Sequence, residues 1–218
     1  GLHNLGGFYY SMGNYQRSKE LLTHVLQWEK DYPDSFFSLY ISALRVLHMI
    51  DINEKQANLA NQHFEKARQY VEKFNQQEHP SYLFFLLDRL KYGVSAEQIE
   101  EKLLQQEIER LQPLVEKYFG KNSYQYCNLQ AIYAQLLSNK KEYAKAIELS
   151  GECIDYYLSQ KLTRTAPFLS LIKEHAFVLL LSGNLDYSLQ YYKMLLNHIQ
   201  LSVVENFAFI SEEERARY

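Results

Sequence analysis

One spacing constrains this chain more than any other. Ser18, Leu22 and Val25 stand at relative positions 0, +4 and +7. The same spacing recurs at Ala60, Phe64 and Ala67, at Ala146, Ser150 and Cys153, and at Ser188, Tyr192 and Leu195. The first members are separated by 42, 86 and 42 residues, and 86 is close to two periods. Leu104, Ile108 and Leu111 fill the interval between, with Leu where the others carry a small residue. Offsets of 0, 4 and 7 lie on one face of an α-helix. Self-similarity at a period of 20–50 residues marks an array of stacked units. A small residue at the first position lets a neighbouring helix approach closely.

Each of these helices is preceded by another, so the chain reads as five helix pairs. The first is Leu2–Met12 with Tyr15–Lys30, and the second Phe36–Ile50 with Glu54–Phe74. The third is Ser81–Tyr92 with Ala96–Phe119, and the fourth Ser123–Ser138 with Glu142–Gln160. The fifth is Pro167–Ser182 with Leu185–Asn206. Gly13-Asn14 and Gly183-Asn184 are the expected tight turns within a pair, and "YPDS" at 32–35 is an expected separator between pairs. Pro80 and Pro167 suit first turns, where a missing N–H is harmless. Ser95 and Gln98 have capping-box spacing. Pro113 inside a helical pattern predicts a kink or break. No segment shows the two-residue alternation of strands. The expected fold is all-α: a right-handed solenoid of about five antiparallel pairs over residues 1–206, with 207–218 a helical linker toward a domain outside this sequence. The chain starts without Met, inside a helical pattern, and so reads as part of a longer protein.

Composition removes some partners. The net charge is −3, which gives no reason to expect nucleic acid. No apolar run approaches the roughly 20 residues of a membrane span. Two cysteines, Cys127 and Cys153, match no disulfide framework or zinc spacing and suit a reducing, cytoplasmic setting.

The phrases themselves resemble a known family. "YYSMGNYQRSKELL" is similar to a tetratricopeptide repeat (TPR), with its aromatic residue, Gly-Asn-Tyr turn and small residue opening the second-helix motif. "ANQHFEKA" (Ala60–Ala67) and "EYAKAIEL" (Glu142–Leu149) resemble the same family. The period of about 42, with "EHPSY" and "FGKNSYQY" ahead of first helices, is similar to the kinesin-light-chain type. The third pair departs from the pattern at Leu104. The last segment, "ENFAFISEEERARY" (Glu205–Tyr218), resembles the one that follows such repeats in bacterial proteins with a C-terminal CHAT domain, a caspase-like module. Read as chemistry alone, it is a solvated helix with Ser211 as N-cap.

Catalytic signals are thin. The seven histidines form no HExxH pair, and no P-loop or GxGxxG occurs. Nothing in the spacing gives Cys127 or Cys153 a base and an oxyanion site, so no catalytic residue, metal or cofactor is expected. The 19 tyrosines are unusual and suit either half-buried seams or a peptide groove. The expected activity is non-catalytic binding of a protein or peptide segment by a scaffold region, with control of a CHAT protease implied by the resemblance. The alternative is the sensing region of a TPR-type peptide-pheromone regulator. Family groove positions carry over to Tyr10, Tyr40, Leu44, Asn128, Ala131, Gln135, Lys173 and Phe177.

The register makes a direct prediction. Ala60→Leu should destabilise by about 1–3 kcal/mol, because it forces bulk between packed helices. Ala57→Leu, three residues earlier on the same helix, should cost much less. Thermal melts compare the two, and equal losses would refute the register.

Overall fold

A computed structural model describes residues 1–31, 37–96 and 100–208. Among these residues the chain forms ten α-helices and no strand. In order they are α1 (Leu2–Ser11), α2 (Tyr15–Asp31), α3 (Phe37–Asn53), α4 (Ala57–Lys73), α5 (Pro80–Ala96), α6 (Glu101–Phe119), α7 (Tyr124–Asn139), α8 (Tyr143–Ser159), α9 (Ala166–Leu181) and α10 (Leu185–Ala208). The separator at 32–35 and the terminal "FISEEERARY" lie outside the described residues, as does Gln98 of the expected capping box. Ser95 lies inside α5, and α6 takes Glu100 as its N-cap. α6 runs through Pro113 without a break. Pro113 is exposed, so the Glu109 carbonyl that loses its intrahelical donor can be hydrated.

The turn within a pair repeats in backbone geometry as well as in sequence. Gly13, Lys55, Lys141 and Gly183 occupy the same place, and all have positive φ, at 73°, 61°, 63° and 84°. The amide after each reaches back five residues, in Asn14 to Tyr9, Gln56 to Asp51, Glu142 to Leu137 and Asn184 to Leu179, at 2.7–2.9 Å. The turn amide itself bonds three residues back. This is the Schellman closure, which satisfies the last carbonyls of the first helix. Glycine adopts it freely, whereas the two lysines accept left-handed strain. The Gly-Asn phrase is therefore visible at the two ends of the chain and hidden in the middle.

The small-residue seam is built as the spacing predicts. Ser18, Leu22 and Val25 are buried, as are the triplets at 60, 104 and 146. The third unit is no exception, with Leu104, Ile108 and Leu111 at most 3% exposed. The closest approach is at Gly6 on α1, where a Cβ would lie 2.8 Å from Leu22 Cγ. The Ser18 hydroxyl donates to the Gly6 carbonyl at 2.8 Å, and Ser188 donates to Ala176 in the same way.

The chain divides into two compact units, residues 1–92 and 93–218, with the boundary inside α5. In the first unit α1 packs on α2, α2 on α3 and α3 on α4, and α1 also touches α3. Polar contacts tie these layers together. Lys19 on α2 reaches both Asp51 Oδ1 at 2.8 Å and Glu54 at 2.6 Å, while His63 Nδ1 meets Asp51 Oδ2 at 2.8 Å. Asp51 is only 1% exposed, and Lys19 and His63 take its two carboxylate oxygens. In the second unit α6 packs on α7, α7 on α8, α8 on α9 and α9 on α10, and α7 touches α9.

Three seam histidines tie stability to pH. His48 Nδ1 lies 2.8 Å from the Ala60 carbonyl and donates to it, while its Nε2 is buried without a partner. His175 Nδ1 lies 2.7 Å from Ser150 Oγ, whose own proton goes to the Ala146 carbonyl at 2.6 Å. Burial lowers the pKa of His48, His63 and His175 below the ordinary histidine value; the nearby Asp51 only partly offsets this at His63. The unfolded chain therefore takes up protons first. The stability these groups lend is complete above about pH 6.5 and is lost as pH falls toward their folded-state values. The melting temperature should drop between pH 7.5 and pH 5 by more than in a His48→Gln, His175→Gln variant. Parallel melting curves against pH would refute this account.

Candidate functional site

The first helices of successive pairs carry a stripe of repeating positions, half-buried on α7 and exposed on α9. In α7 it comprises Asn128, Ala131 and Gln135, all half-buried. In α9 the residues 42 further on from Ala131 and Gln135 are Lys173 and Phe177, both exposed. Phe177 is 45% exposed, and Lys173 Nζ lies 3.1 Å from Glu174 Oε1. α7 and α9 are in direct contact. Ala131 also packs against the core cluster of Cys127, Cys153 and Phe168 and has little to offer a ligand beyond its methyl group.

In the first unit the residues expected in the groove separate. Leu44 requires a correction, because it is completely buried and belongs to the core. Tyr40 is half-buried in the seam between α3 and α4, its ring centroid 4.2 Å from that of Tyr70, beside Phe37 and Phe74. The physical reason is helical phase. Counting 86 residues back from Asn128, Ala131 and Gln135 gives Ser42, Arg45 and Met49, and all three are half-buried on α3. Leu44 is one residue, about 100°, away from Arg45. The spacing already present in the sequence would have found this set; family positions carried over singly did not. Arg45 Nε donates to Asp88 Oδ2 on α5, and its guanidinium lies over the Phe84 ring. Tyr10 on α1 is half-buried and stacks on Tyr15 at 5.9 Å. Burial raises its hydroxyl pKa, with a smaller opposing effect from Asn53.

Sequence reading missed a cleft of about 270 Å³ between α7 and α8, lined among others by Tyr126, Gln130, Glu152 and the two cysteines. Gln130 at 7% exposure gave no signal of this, since a polar residue inside a helix usually reads as surface. The thiols face each other's backbone: Cys153 Sγ donates to the Cys127 carbonyl at 3.3 Å, and Cys127 Sγ to the Cys153 carbonyl at 3.8 Å. The hydrogen bond with Cys127 and burial together hold the Cys153 thiol far above the usual range. A thiol held as Cys153 is makes a poor nucleophile. Among the described residues no group of three or more His, Cys, Asp or Glu could hold a metal, and no helix is long and apolar enough to cross a membrane.

The comparisons fit this architecture. No family model and no curated protein matches the sequence. Solved structures do: a single-substitution form of a kinesin light chain from Podosopora anserina, built of nearly identical TPR-like repeats, superposes with a TM-score of 0.64. It is 16% identical, and the match covers 90% of this chain and 92% of that one. The form without that substitution gives 0.62 at 16% identity, covering 92% and 94%. The fold is therefore an all-α array of TPR-like helix pairs.

The thiols yield a prediction. A disulfide-exchange reagent at neutral pH should label neither cysteine rapidly in the folded chain and both in denaturant. The native rate should track opening of the fold. Fast stoichiometric labelling of the native protein would refute it.

Proposed function

We propose that this chain is a non-catalytic scaffold that binds a protein or peptide segment along the first-helix stripe of its second unit, where α7 and α9 meet. TPR-like folds typically serve as protein-interaction scaffolds. The observation that carries the reading is a contrast within the chain. The seam positions repeat in type, whereas the stripe positions change from Asn128 to Ser170, Ala131 to Lys173 and Gln135 to Phe177. Packing demands the first set and leaves the second free to serve recognition. Carboxamides at Asn128 and Gln135 can pair with the main chain of a bound segment. Phe177 offers an aromatic anchor and Lys173 a cation, which together favour a segment with apolar and acidic side chains. The two buried, unlinked thiols support a reducing, cytoplasmic setting. The resemblance of Glu205–Tyr218 supports the finer reading that binding regulates a caspase-like CHAT module downstream; a parent gene without such a module would remove it.

The stripe is tested by substitution. Peptides selected on the folded chain should lose at least about tenfold in affinity when Gln135→Ala and Phe177→Ala are combined, since a buried aromatic anchor alone is worth about 2 kcal/mol or more. Helicity should not change. Tyr40→Ala should instead lower the melting temperature and leave binding intact. Undiminished binding by the double variant would place the site elsewhere.

A further inference from the structure

Gln130 breaks the pattern of its own register. It corresponds to Leu44 on α3, 86 residues back, and to Ile172 on α9, 42 residues on. Both of those are completely buried apolar side chains. On α5 the same register holds Asp88, which pairs with Arg45. Gln130 is 7% exposed, and among the described residues no group of the chain hydrogen-bonds its carboxamide. A buried amide without a partner is unfavourable, and an aliphatic side chain in its place is not. Packing alone therefore gives no reason for Gln at this position.

The amide lines the cleft of about 270 Å³ between α7 and α8. Each helix lends that cleft residues at i, i+1 and i+4: Tyr126, Cys127 and Gln130 from α7, and Glu152, Cys153 and Tyr156 from α8. The reciprocal contacts of each thiol with the other's carbonyl place Cys127 level with Cys153. The two helices run antiparallel across their short turn, so Tyr126 and Tyr156 lie to one side of that level. Gln130 and Glu152 lie to the other. The cleft thus has an aromatic end and a polar end. Tyr126 is half-buried, whereas Phe168, 42 residues on, is completely buried. A register that is sealed on α9 is open on α7. All these residues belong to the second unit, and none belongs to the first-helix stripe.

The shape and chemistry select a ligand class. An apolar cavity of about 150 Å³ holds a benzene ring, so this cleft has room for a substituted one. The polar end offers a donor and an acceptor at Gln130 and a further acceptor at Glu152. A primary carboxamide is their complement, since it accepts at its oxygen and donates two N–H bonds. The tyrosines at the other end suit a flat ring. We propose that this cleft binds a small molecule made of a planar ring bearing a carboxamide. An Asn or Gln side chain of a bound segment carries the same amide but no ring for the aromatic end.

Benzamide is the probe, and solution NMR of the full chain is the test. Benzamide should bind at about millimolar affinity or tighter. It should shift the side-chain amide signals of Gln130 and the ring signals of Tyr126 and Tyr156. Acetophenone keeps the shape and the acceptor but lacks the donor, and propionamide keeps the amide but lacks the ring. Each should bind at least about tenfold more weakly. Gln130→Leu should fold, because Leu and Ile hold this register on α3 and α9, and should abolish benzamide binding. If it does not fold, Tyr156→Ala probes the aromatic end and should weaken binding several-fold. No shift at benzamide concentrations up to about 10 mM overturns the proposal. So does undiminished binding by a folded Gln130→Leu chain, or by Tyr156→Ala. Acetophenone binding as tightly as benzamide removes the role of the amide and overturns it too. Propionamide binding as tightly assigns the cleft to amide side chains of a protein segment, which also overturns it.

Discussion

Everything in this molecule depends on how closely the two helices of a pair approach. In the first pair the approach is close where α1 crosses α2. A Cβ at Gly6 would lie 2.8 Å from the Leu22 side chain, which would have to shift. The Ser18 hydroxyl then satisfies itself on the Gly6 carbonyl, twelve residues earlier. Ser188 does the same with Ala176, and His48 with Ala60 makes the bond from the opposite side of the seam. A hydrogen bond across a seam this tight fixes the axial register of the pair as well as its spacing. Once that register is fixed, the rotation of both helices follows, and with it the identity of every buried face.

Most of the fold was legible because the seam writes itself into the sequence with helical periodicity. The 0, +4, +7 triplets mark the buried stripe of the second helices in four units. The fifth fits in part: Ser188 is buried, whereas Tyr192 and Leu195 are half-buried. Turns were legible where glycine carried the positive φ. They were illegible at Lys55 and Lys141, where the Schellman hydrogen bonds hold lysine in the same strained state. Pro113 misled because a proline is judged by the hydrogen bond it removes. On an exposed face water replaces that bond, and α6 continues.

The candidate site was legible only in part, for a reason of phase. Seam and stripe sit on the same helix, separated by a single residue. Leu44 and Arg45 are adjacent in sequence, yet one is sealed in the core and the other crosses to Asp88 on α5. Family positions transferred one at a time tolerate no such slip. Positions generated by the chain's own period do, because each repeat checks the others. Asn128, Ala131 and Gln135 lead to Ser42, Arg45 and Met49 without outside knowledge. The cleft beside Cys127 and Cys153 lies beyond that logic, since it arises from buried Gln130 and half-buried Tyr126 in one pair and has no counterpart pattern in the others.

The same separation of faces explains how a repeated scaffold can be specific. Packing energy comes from positions that recur and must stay small or apolar. The intervening positions bear less packing demand and can differ from unit to unit, so Gln135 and Phe177 occupy one register with opposite chemistries. The stripe is chemically mixed, half-buried at Asn128, Ala131 and Gln135 on α7 and exposed at Lys173 and Phe177 on α9.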